Sequence, residues 1–413
     1  MPRRKLKIAI TVWCFKPNTG GQQAYVEQLS TQLQEQGHSV IIVTRAATRV
    51  PRGSEYLLFN EQERELVVKG SRVRLLRFSR LWLPILWLLG KLVKRPRFEL
   101  LAVVLYQLVA RKPACEAFAG VDLIHHIGEA PTLTGFAAAK AARHWRVPFV
   151  ISPTCHPHHV GDSLLDFHLY RQADRLLVYT QYEAQYLRQK GIGCPIDVVG
   201  IGIEDRSDGN AMHFRDSTGI AGPFILFIGR KDVQKGYPLL VDAFKVVRRQ
   251  RPELSLVCMG PAGSVPVAKN LEGVVQLDFT SDKLKHDALA ACTCLCVPSE
   301  GESFGLVYME AGRYGKPVVG RNVPVLQELL GTRDAALLLG RADPIRNKAT
   351  LGPEDLADAL LDLVADLRKC RRLGENCRLV SEGFIWPHRI QLSEQSYWLT
   401  LDRYKNGEDF PGS

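Results

Sequence analysis

Long apolar stretches and paired cysteines are both missing from this 413-residue sequence. No run reaches the roughly 18 apolar residues from which a membrane-spanning helix is inferred, so we expect no ordinary transmembrane helix. The ten cysteines are scattered, and none forms a C-x-x-C pair. This distribution favours reduced thiols in a cytosolic compartment over a disulfide framework.

The usual patterns of metal sites and nucleophiles are missing as well. Four histidines lie close together, but their spacing is not H-E-x-x-H and no cysteine pair accompanies them, so we expect no metal site. They are His156, His158, His159 and His168. Cys292, Cys294 and Cys296 alternate along a predicted strand, which favours core packing over a zinc cluster. No Ser–His–Asp or Cys–His arrangement stands out.

Residues 1–7 are basic and precede a short apolar run, residues 8–15. This run contains Thr11 and lacks a small-residue cleavage site, so it predicts a first buried strand rather than a signal peptide.

Acidic residues are absent from residues 66–98, a segment that forms part of a basic, Trp- and Leu-rich insert at about 66–112. Nine cations lie in it: Lys69, Arg72, Arg74, Arg77, Arg80, Lys91, Lys94, Arg95 and Arg97. Cations interleaved with two Trp and several Leu favour a segment in the headgroup layer of an anionic membrane. The alternative is a covered helix with a solvated basic face. The net charge of +11 would also attract nucleic acid, but no nucleic-acid motif accompanies it, so we expect no such partner.

Strand and helix patterns alternate along the chain, which is too long for one ordinary core. The alternation predicts an α/β protein with two doubly wound domains facing one another across a cleft. We expect an N-terminal domain at 1–203 and a second domain at 204–385. A helix at 386–413 follows. The polar stretch 204–223 is the expected linker, and His125 with His126 is expected at a strand end facing the cleft.

The most informative motif is residues 301–310, which lies between a buried strand and a C-terminal stop. We predict that Glu302 lies on the strand-to-helix loop and that Ser303, Phe304 and Gly305 form the helix N-terminus. Glu310 is predicted about two turns inside, on roughly the same face. The free amides of such a helix end attract an anion such as a diphosphate, and the two carboxylates can accept hydrogen bonds from sugar hydroxyls.

A second motif, residues 227–236, places Gly229 at a strand end and Arg230 and Lys235 on the following loop. Two fixed cations at one place can stabilise the charge that develops on a leaving phosphate, which makes a divalent metal unnecessary. Gly20 and Gly21, between the first strand and first helix, would let backbone amides reach the same diphosphate.

Taken together, these motifs resemble the retaining glycosyltransferases of family 4, which have the GT-B fold of two Rossmann-like domains. The resemblance implies that Glu310 binds the donor ribose, while Glu302 and the backbone from Ser303 to Leu306 hold the donor sugar and diphosphate. Arg230 and Lys235 would neutralise that diphosphate. His156 matches a family position near the donor sugar, so the implied catalytic residues are His156, Glu302, Arg230 and Lys235. The family's usual Pro-Asn-Gly turn is replaced here by residues 199–202.

The sequence therefore predicts a metal-independent hexosyltransferase without a cofactor, acting with retention of configuration on a UDP- or GDP-linked sugar donor. The expected acceptor is a carbohydrate or lipid-linked precursor of a cell-surface polysaccharide or glycolipid. We expect a cytoplasmic protein, peripheral on the inner face of an anionic membrane. Two alternatives stay open: a nucleotide-sugar epimerase of the same fold, and a non-catalytic nucleotide-sugar-binding protein.

Overall fold

The computed structural model describes residues 4–15, 20–47, 57–58, 64–68, 70–158, 160–268, 271–278, 281–343 and 348–406. The chain divides into two compact units. Unit 1 comprises Met1–Gly202 and Arg389–Ser413, and unit 2 comprises Ile203–His388.

Unit 1 is built on one sheet with helices on its faces. Its strands are β1 (Lys7–Thr11), β2 (Ser39–Thr44), β3 (Glu65–Val68), β4 (Ser71–Leu75), β5 (Leu123–Ile127), β6 (Phe149–Ser152), β7 (Arg175–Val178) and β8 (Ile196–Val198). Its first six helices are α1 (Gly21–Glu35), α2 (Leu83–Leu92), α3 (Glu99–Ala117), α4 (Thr134–Trp145), α5 (Leu164–Tyr170) and α6 (Gln181–Gln189).

The strand order in unit 1 is β3-β4-β2-β1-β5-β6-β7-β8, and every pair except β3 with β4 is parallel. β1, β2, β5, β6 and β7 are buried almost throughout. Central parallel strands are covered on both faces by helices, so they appear in sequence as continuous apolar runs. β3 and β4 lie inside the basic insert, where we had predicted no strands.

Unit 2 repeats the same architecture on a smaller sheet. Its strands are β9 (Phe224–Ile228), β10 (Ser255–Met259), β11 (Val274–Leu277), β12 (Cys294–Cys296), β13 (Val318–Arg321), β14 (Leu337–Leu339), β15 (Arg341–Asp343) and β16 (Lys348–Thr350). Its helices are α7 (Ala211–Thr218), α8 (Tyr237–Gln250), α9 (Asp282–Ala291), α10 (Leu306–Arg313), α11 (Pro324–Leu329), α12 (Pro353–Ala365) and α13 (Leu367–Glu382), and α14 (Trp386–Lys405) begins here.

Six of these strands form a parallel sheet in the order β11-β10-β9-β12-β13-β14, while β15 and β16 form an antiparallel pair. Two parallel α/β units are therefore present, as predicted. Cys292, Cys294 and Cys296 are buried free thiols in and beside β12, which confirms their predicted core position.

The prediction of a linker at 204–223 was wrong, because α7 lies within these residues. Phe214 of α7 is fully buried and stacks on Phe224 of β9 at a ring distance of 5.2 Å. Asn210 caps the helix, and its backbone nitrogen donates to Asp287 Oδ1 at 2.7 Å. A single buried aromatic in an otherwise polar stretch gives too little periodicity to predict this helix.

From Arg389 onward, α14 belongs to unit 1. Tyr397 Oη lies 2.8 Å from His125 Nδ1, and Arg175 Nε donates to Thr400 Oγ1 at 2.8 Å. Among the described helices, none combines the length and apolar character that a bilayer crossing requires.

Candidate functional site

Two loops of unit 2 follow neighbouring strands, one after β9 and one after β12. The chain leaves β9 towards β10 and returns only later to β12 on the other side of β9. Where the connections diverge in this way, a crevice opens at the carboxyl edge of a parallel sheet, and ligands bind there. The unit 2 residues predicted from the sequence lie on these two loops and on α10.

The two loops are held together by a close backbone approach. Gly236, which precedes α8, has a φ of +70°, and a Cβ on it would lie 2.2 Å from the carbonyl oxygen of Pro298. Glycine avoids both the left-handed strain and the clash. Glu300 N also donates to the carbonyl oxygen of Gln234 at 2.8 Å. The spacing of the two loops is therefore fixed by the backbone.

Lys235 and Glu302 form an ion pair between the two loops. Lys235 Nζ donates to Glu302 Oε1 at 2.7 Å. The side chain of Lys235 is 31% exposed and that of Glu302 only 6%. Because an uncompensated buried carboxylate is strongly destabilising, Lys235 stabilises Glu302 in its place at the crevice.

Arg230 lies on the same loop as Lys235 and is oriented by two neighbours. Its Nε donates to the carboxylate of Asp232, and its Nη2 donates to Gln234 Oε1 at 3.1 Å. Asp232 Oδ1 also accepts from the backbone nitrogen of Lys235 at 2.9 Å. Asp232 is buried. Asp232 was not predicted as a site residue, because its partners are recognisable only once the loop conformation is known.

The segment before α10 differs from the prediction. The helix begins at Leu306, so Ser303, Phe304 and Gly305 precede it and do not form its first turn. Phe304 is fully buried and packs edge-on against Phe384 at 5.1 Å, which leaves only its backbone to contact a ligand. α10 has no side-chain cap. Since the first amides of a helix have no intrahelical partner, this end can accept an anion.

Glu310 lies about one turn inside α10 rather than two. Its Oε1 accepts from Lys285 Nζ of α9 at 2.8 Å, and Lys285 also lies 3.0 Å from Asp282. Although burial opposes the ammonium charge, the two carboxylates raise the pKa of Lys285. Lys285 is a second residue that the sequence analysis missed, because it comes from a different helix.

In unit 1, the predicted glycines lie where β1 leads into α1. Gly20 is the N-cap of α1 in extended conformation, and Gly21 is the first helical residue. Gln22 Nε2 donates to Ile127 O at 3.0 Å and Gln23 Nε2 to Cys14 O at 3.2 Å, so this helix start is tied to neighbouring strand ends.

Among the described residues, none of the histidines from 156 to 168 belongs to a group of three possible metal ligands. His156 is half-buried on the loop after β6, and its backbone nitrogen donates to Val160 O at 2.8 Å. His158 is exposed and packs edge-on against Tyr186. His159 lies outside the described residues.

His125 and His126, for which we expect a strand end facing the cleft, lie inside β5 and do not face solvent. Both are fully buried, and His125 is bonded to Ser152 Oγ at 2.9 Å as well as to Tyr397. Burial lowers the pKa of His125 to about 3, with a smaller effect of the neighbouring His126. His125 therefore holds α14 against the sheet through Tyr397, while His126 is buried next to Gly135 of α4.

Within the described part of the chain, one group of possible metal ligands comes together: Glu204, Asp282 and His286. Arg206 Nη1 lies 3.1 Å from Asp282, and Lys285 lies 3.0 Å from the same carboxylate. Cations already compensate this group, and it contains none of the predicted site residues.

The crevice thus combines two cations, a helix N-terminus and two carboxylates held by lysines. The first three can accept a diphosphate, and the carboxylates can accept hydrogen bonds from hydroxyl groups. A parallel α/β sheet with this arrangement at its switch point defines a nucleotide-binding class of protein.

Two family models match the two units. Residues 20–202 match a glycosyl transferase 4-like domain, and residues 222–366 match glycosyl transferases group 1. The chain belongs to this glycosyltransferase family, which confirms the resemblance seen in the motifs.

The chain is also similar to D-inositol 3-phosphate glycosyltransferases. It is 29% identical over 248 residues to that of Gordonia bronchialis, covering 55% of this chain and 52% of the relative. It is 28% identical over 330 residues to that of Nocardia farcinica, covering 71% and 70%. The chain thus spans about half the length of the first of these relatives.

Two solved structures show the same fold. Sucrose-phosphate synthase from Thermosynechococcus elongatus has a TM-score of 0.68 at 20% identity, covering 97% of this chain and 100% of that one. Anabaena HepE in complex with UDP-glucose has a TM-score of 0.67 at 18% identity, covering 96% and 99%. The predicted GT-B fold is confirmed.

Proposed function

We propose that this protein transfers a sugar from a nucleoside-diphosphate donor to an acceptor hydroxyl group, with retention of configuration and without a metal ion. The observation that carries the proposal is the 2.7 Å pair between Lys235 and Glu302 at the crevice, with Arg230 on the same loop. Membership in the glycosyltransferase family supports the reaction class.

Donor binding would exchange partners within this ion pair. Lys235 and Arg230 turn towards the diphosphate, while Glu302 accepts a hydroxyl group of the donor sugar. Glu310, oriented by Lys285 at 2.8 Å, accepts the ribose hydroxyls. The backbone from Ser303 to Leu306 and the start of α10 meet the diphosphate oxygens. Each group that loses its present partner gains a new hydrogen-bond partner, so no buried polar group is left unsatisfied.

The chemical step then breaks the bond between the anomeric carbon and the diphosphate oxygen, and the electron pair stays on that oxygen. Arg230 and Lys235 stabilise the developing charge, which gives the protein its main contribution to the rate. The acceptor oxygen bonds to the anomeric carbon on the same face. Its proton passes to the leaving diphosphate oxygen, so the reaction needs no further base.

From unit 1 we retain Gly20, Gly21 and His156 as proposed donor contacts.

A second part of the proposal concerns an exposed apolar surface of unit 1, the α2–α3 apolar face. It consists of Leu81, Trp82, Ile85, Trp87, Leu88, Leu100, Leu101, Val104, Leu105 and Leu108, with exposed fractions from 37% to 85%. A contiguous exposed apolar surface of this kind marks an interaction site. No described residue of the chain covers these side chains. Leu86, by contrast, is fully buried.

The occupant that we propose for this face is an anionic bilayer. Exposed cations adjoin it in sequence: Arg80, Lys91, Lys94, Arg95, Arg97, Arg111 and Lys112. Lys91 Nζ lies 3.6 Å above the ring of Trp87. Apolar side chains with a basic margin match the acyl boundary and the negative headgroups at the same time. A protein held in this way would use a lipid-linked acceptor at the inner face of a membrane.

The test is a panel of UDP- and GDP-linked hexoses scored by thermal stabilisation and then by transfer to membrane-extracted lipid. UDP-glucose comes first because HepE was solved with it. A donor at 100 times its Kd stabilises the folded chain by about 2.7 kcal/mol. We expect the Arg230→Gln/Lys235→Gln variant to lose transfer, and the exposed pair Lys245→Gln/Arg249→Gln to keep it. Full transfer by the first variant would disprove the donor site.

Donor incubated alone distinguishes the reaction classes. An epimerised sugar nucleotide formed without acceptor would show an epimerase, whereas binding without any turnover would show a binding protein. Transfer with retained configuration, read by NMR of the product, is the result expected here.

A further inference from the structure

A cavity of about 930 Å³ lies in unit 1 beside the α2–α3 apolar face. It is lined by the start of β3, by β4 and the segment that follows it, by the second half of α3 and by His144 of α4. None of the residues assigned to the donor site lines it. Its size is that of a pocket for a small organic ligand.

The cavity walls carry positive charge that the protein itself only partly neutralises. Five Arg or Lys side chains line it against two glutamates. Arg74 already has partners within the protein, because its Nε pairs with Glu65 at 2.8 Å and its Nη1 donates to Ala117 O at 2.9 Å. The remaining cations are Arg64, Arg77, Arg111 and Lys112.

Arg77 has an unsatisfied donor at this cavity. Its Nε is buried and has no hydrogen-bond partner within the described part of the chain. A buried donor of this kind costs free energy unless a ligand or water satisfies it. Arg111 and Lys112, one turn beyond Leu108 on α3, are exposed at the same cavity. A guanidinium pair with an ammonium is the donor set that recognises phosphate.

The cavity is also continuous with the α2–α3 apolar face. Trp82 and Leu108 belong to both, with exposed fractions of 40% and 65%. Val109 and Pro113 extend the apolar wall inward. A ligand that fits must therefore join a phosphate to an aliphatic chain that leaves towards the apolar face.

We propose that this cavity binds the phosphate headgroup of one anionic glycerophospholipid. Arg77, Arg111 and Lys112 hold the phosphate, and Trp82 with Leu108 contacts the acyl chains. The inference rests on the membrane contact proposed above and adds to it a stoichiometric lipid site, separate from the donor crevice. Docking on charge alone would accept any anionic surface, whereas this site requires the phosphate to be attached to apolar chains.

The experiment titrates the full chain with dihexanoyl phosphatidic acid below its micelle concentration and follows binding by calorimetry. We expect saturable one-to-one binding by the wild type. The Arg77→Gln/Arg111→Gln variant should bind at least about tenfold more weakly, since each charge-assisted hydrogen bond to phosphate contributes on that order. The matched variant Lys245→Gln/Arg249→Gln loses the same charge from exposed positions of unit 2, outside both the cavity and the basic margin, and should bind within about twofold of wild type.

Three outcomes would overturn the proposal: no saturable binding by the wild type, equal loss in both double variants, or inorganic phosphate binding as tightly as the short-chain lipid. The last would assign the site to free phosphate. If Arg77→Gln impairs folding, shown by a lost unfolding transition, Arg111→Gln/Lys112→Gln serves instead because both side chains are exposed. Vesicle flotation is read separately. Flotation without short-chain binding rejects the cavity alone, and short-chain binding without flotation rejects the membrane face alone.

Discussion

Lys285 Nζ of α9 lies 2.8 Å from Glu310 Oε1 of α10, and its side chain is only 12% exposed. The carboxylate that we assign to the donor ribose is therefore positioned by a lysine 25 residues away. Asp282 shares the same ammonium at 3.0 Å. Without Lys285, the two carboxylates would repel each other and Glu310 would lose its fixed orientation.

Lys285→Met should accordingly weaken donor binding about five- to thirty-fold, the effect of losing about 1–2 kcal/mol of binding free energy when Glu310 is no longer oriented. Calorimetric titration with the donor found by thermal stabilisation measures it. The matched control is Lys283→Met on the same helix, which removes an ion pair to Asp287 at 2.8 Å. Equal donor affinity in the wild type and Lys285→Met would show that Lys285 does not position Glu310.

The interaction between Lys235 and Glu302 can be measured with a double-mutant cycle of unfolding free energies. Lys235→Met leaves a buried carboxylate without its cation and should lower the free energy of unfolding by about 1–3 kcal/mol. Adding Glu302→Gln should restore a large part of that loss, because the uncompensated charge is gone. Transfer should stay depressed by about a hundredfold or more in both variants.

Denaturant unfolding of the wild type, the two single variants and the double variant measures this coupling. Lys245→Met, which loses only an exposed pair to Asp242, should change stability by less than about 1 kcal/mol. A double variant as unstable as the sum of both singles would contradict the pairing.

Two glycines with nearly the same φ separate backbone strain from steric contact. Gly236 (φ +70°) would place a Cβ 2.2 Å from Pro298 O, whereas Gly219 (φ +71°) has nothing within 4 Å. Gly219→Ala should therefore cost about 1 kcal/mol, the strain of a left-handed alanine. Gly236→Ala should cost clearly more and also reduce donor binding, because it separates the two loops. Similar unfolding midpoints for the two variants would be evidence against the close loop contact.

The burial of His125 in unit 1 predicts that the stability of the protein depends on pH. Burial lowers the pKa of His125 from 6.5 to about 3, so between these values the unfolded chain binds the proton more tightly. Its contribution to stability is present above about pH 6.5 and falls by about 1.4 kcal/mol for each pH unit below that. His125→Gln should make the profile measured by denaturant unfolding from about pH 7.5 to 4.5 less steep. Part of the slope should remain, because burial also lowers the pKa of His126 to about 3.

Glu129 acts in the opposite direction within the same range. Burial, with a smaller effect of Asp166, raises the pKa of Glu129 to about 7, so its contribution to stability falls as pH rises from 4.5. Subtracting the pH profile of His125→Gln from that of the wild type removes the contribution of Glu129, because both proteins contain Glu129. His388→Gln, an exposed histidine of unit 2, is the control. A wild-type slope unchanged in His125→Gln would refute the assignment.

The membrane face can be tested without touching the core. Leu81→Ser/Trp87→Ser/Leu88→Ser should lose most flotation with phosphatidylglycerol vesicles, because each buried apolar side chain contributes about 1.5–3 kcal/mol. Binding of the wild type should weaken as salt is raised, since the basic margin is screened. Leu367→Ser/Leu379→Ser replaces exposed leucines of unit 2 and should float normally. Flotation of the triple variant at the wild-type level would exclude this face.

The structure also decides which residues such a test may include. Leu86 lies between exposed neighbours in the sequence but is fully buried, so Leu86→Ser would unfold part of the core and confuse the result. Its burial depends on which side of α2 faces the sheet, and a continuous apolar run does not reveal that side.

The sequence by itself determined the elements whose patterns are local. The first buried strand and the strand that carries Cys294 and Cys296 were both predicted, and they are β1 and β12, because buried parallel strands leave their signature within a few residues. It also determined the residue types at the crevice, since cations and carboxylates beside strand ends are visible in the chain.

Tertiary structure alone decided which groups meet. The order of β9 and β12 in the sheet brings Lys235 to Glu302, and the position of α9 in the fold brings Lys285 to Glu310. Tertiary structure alone also decided that His125 is buried and that Trp82 lines a cavity. These relationships depend on strand order and helix orientation, which are fixed by burial summed over the whole fold and not by any neighbouring residues.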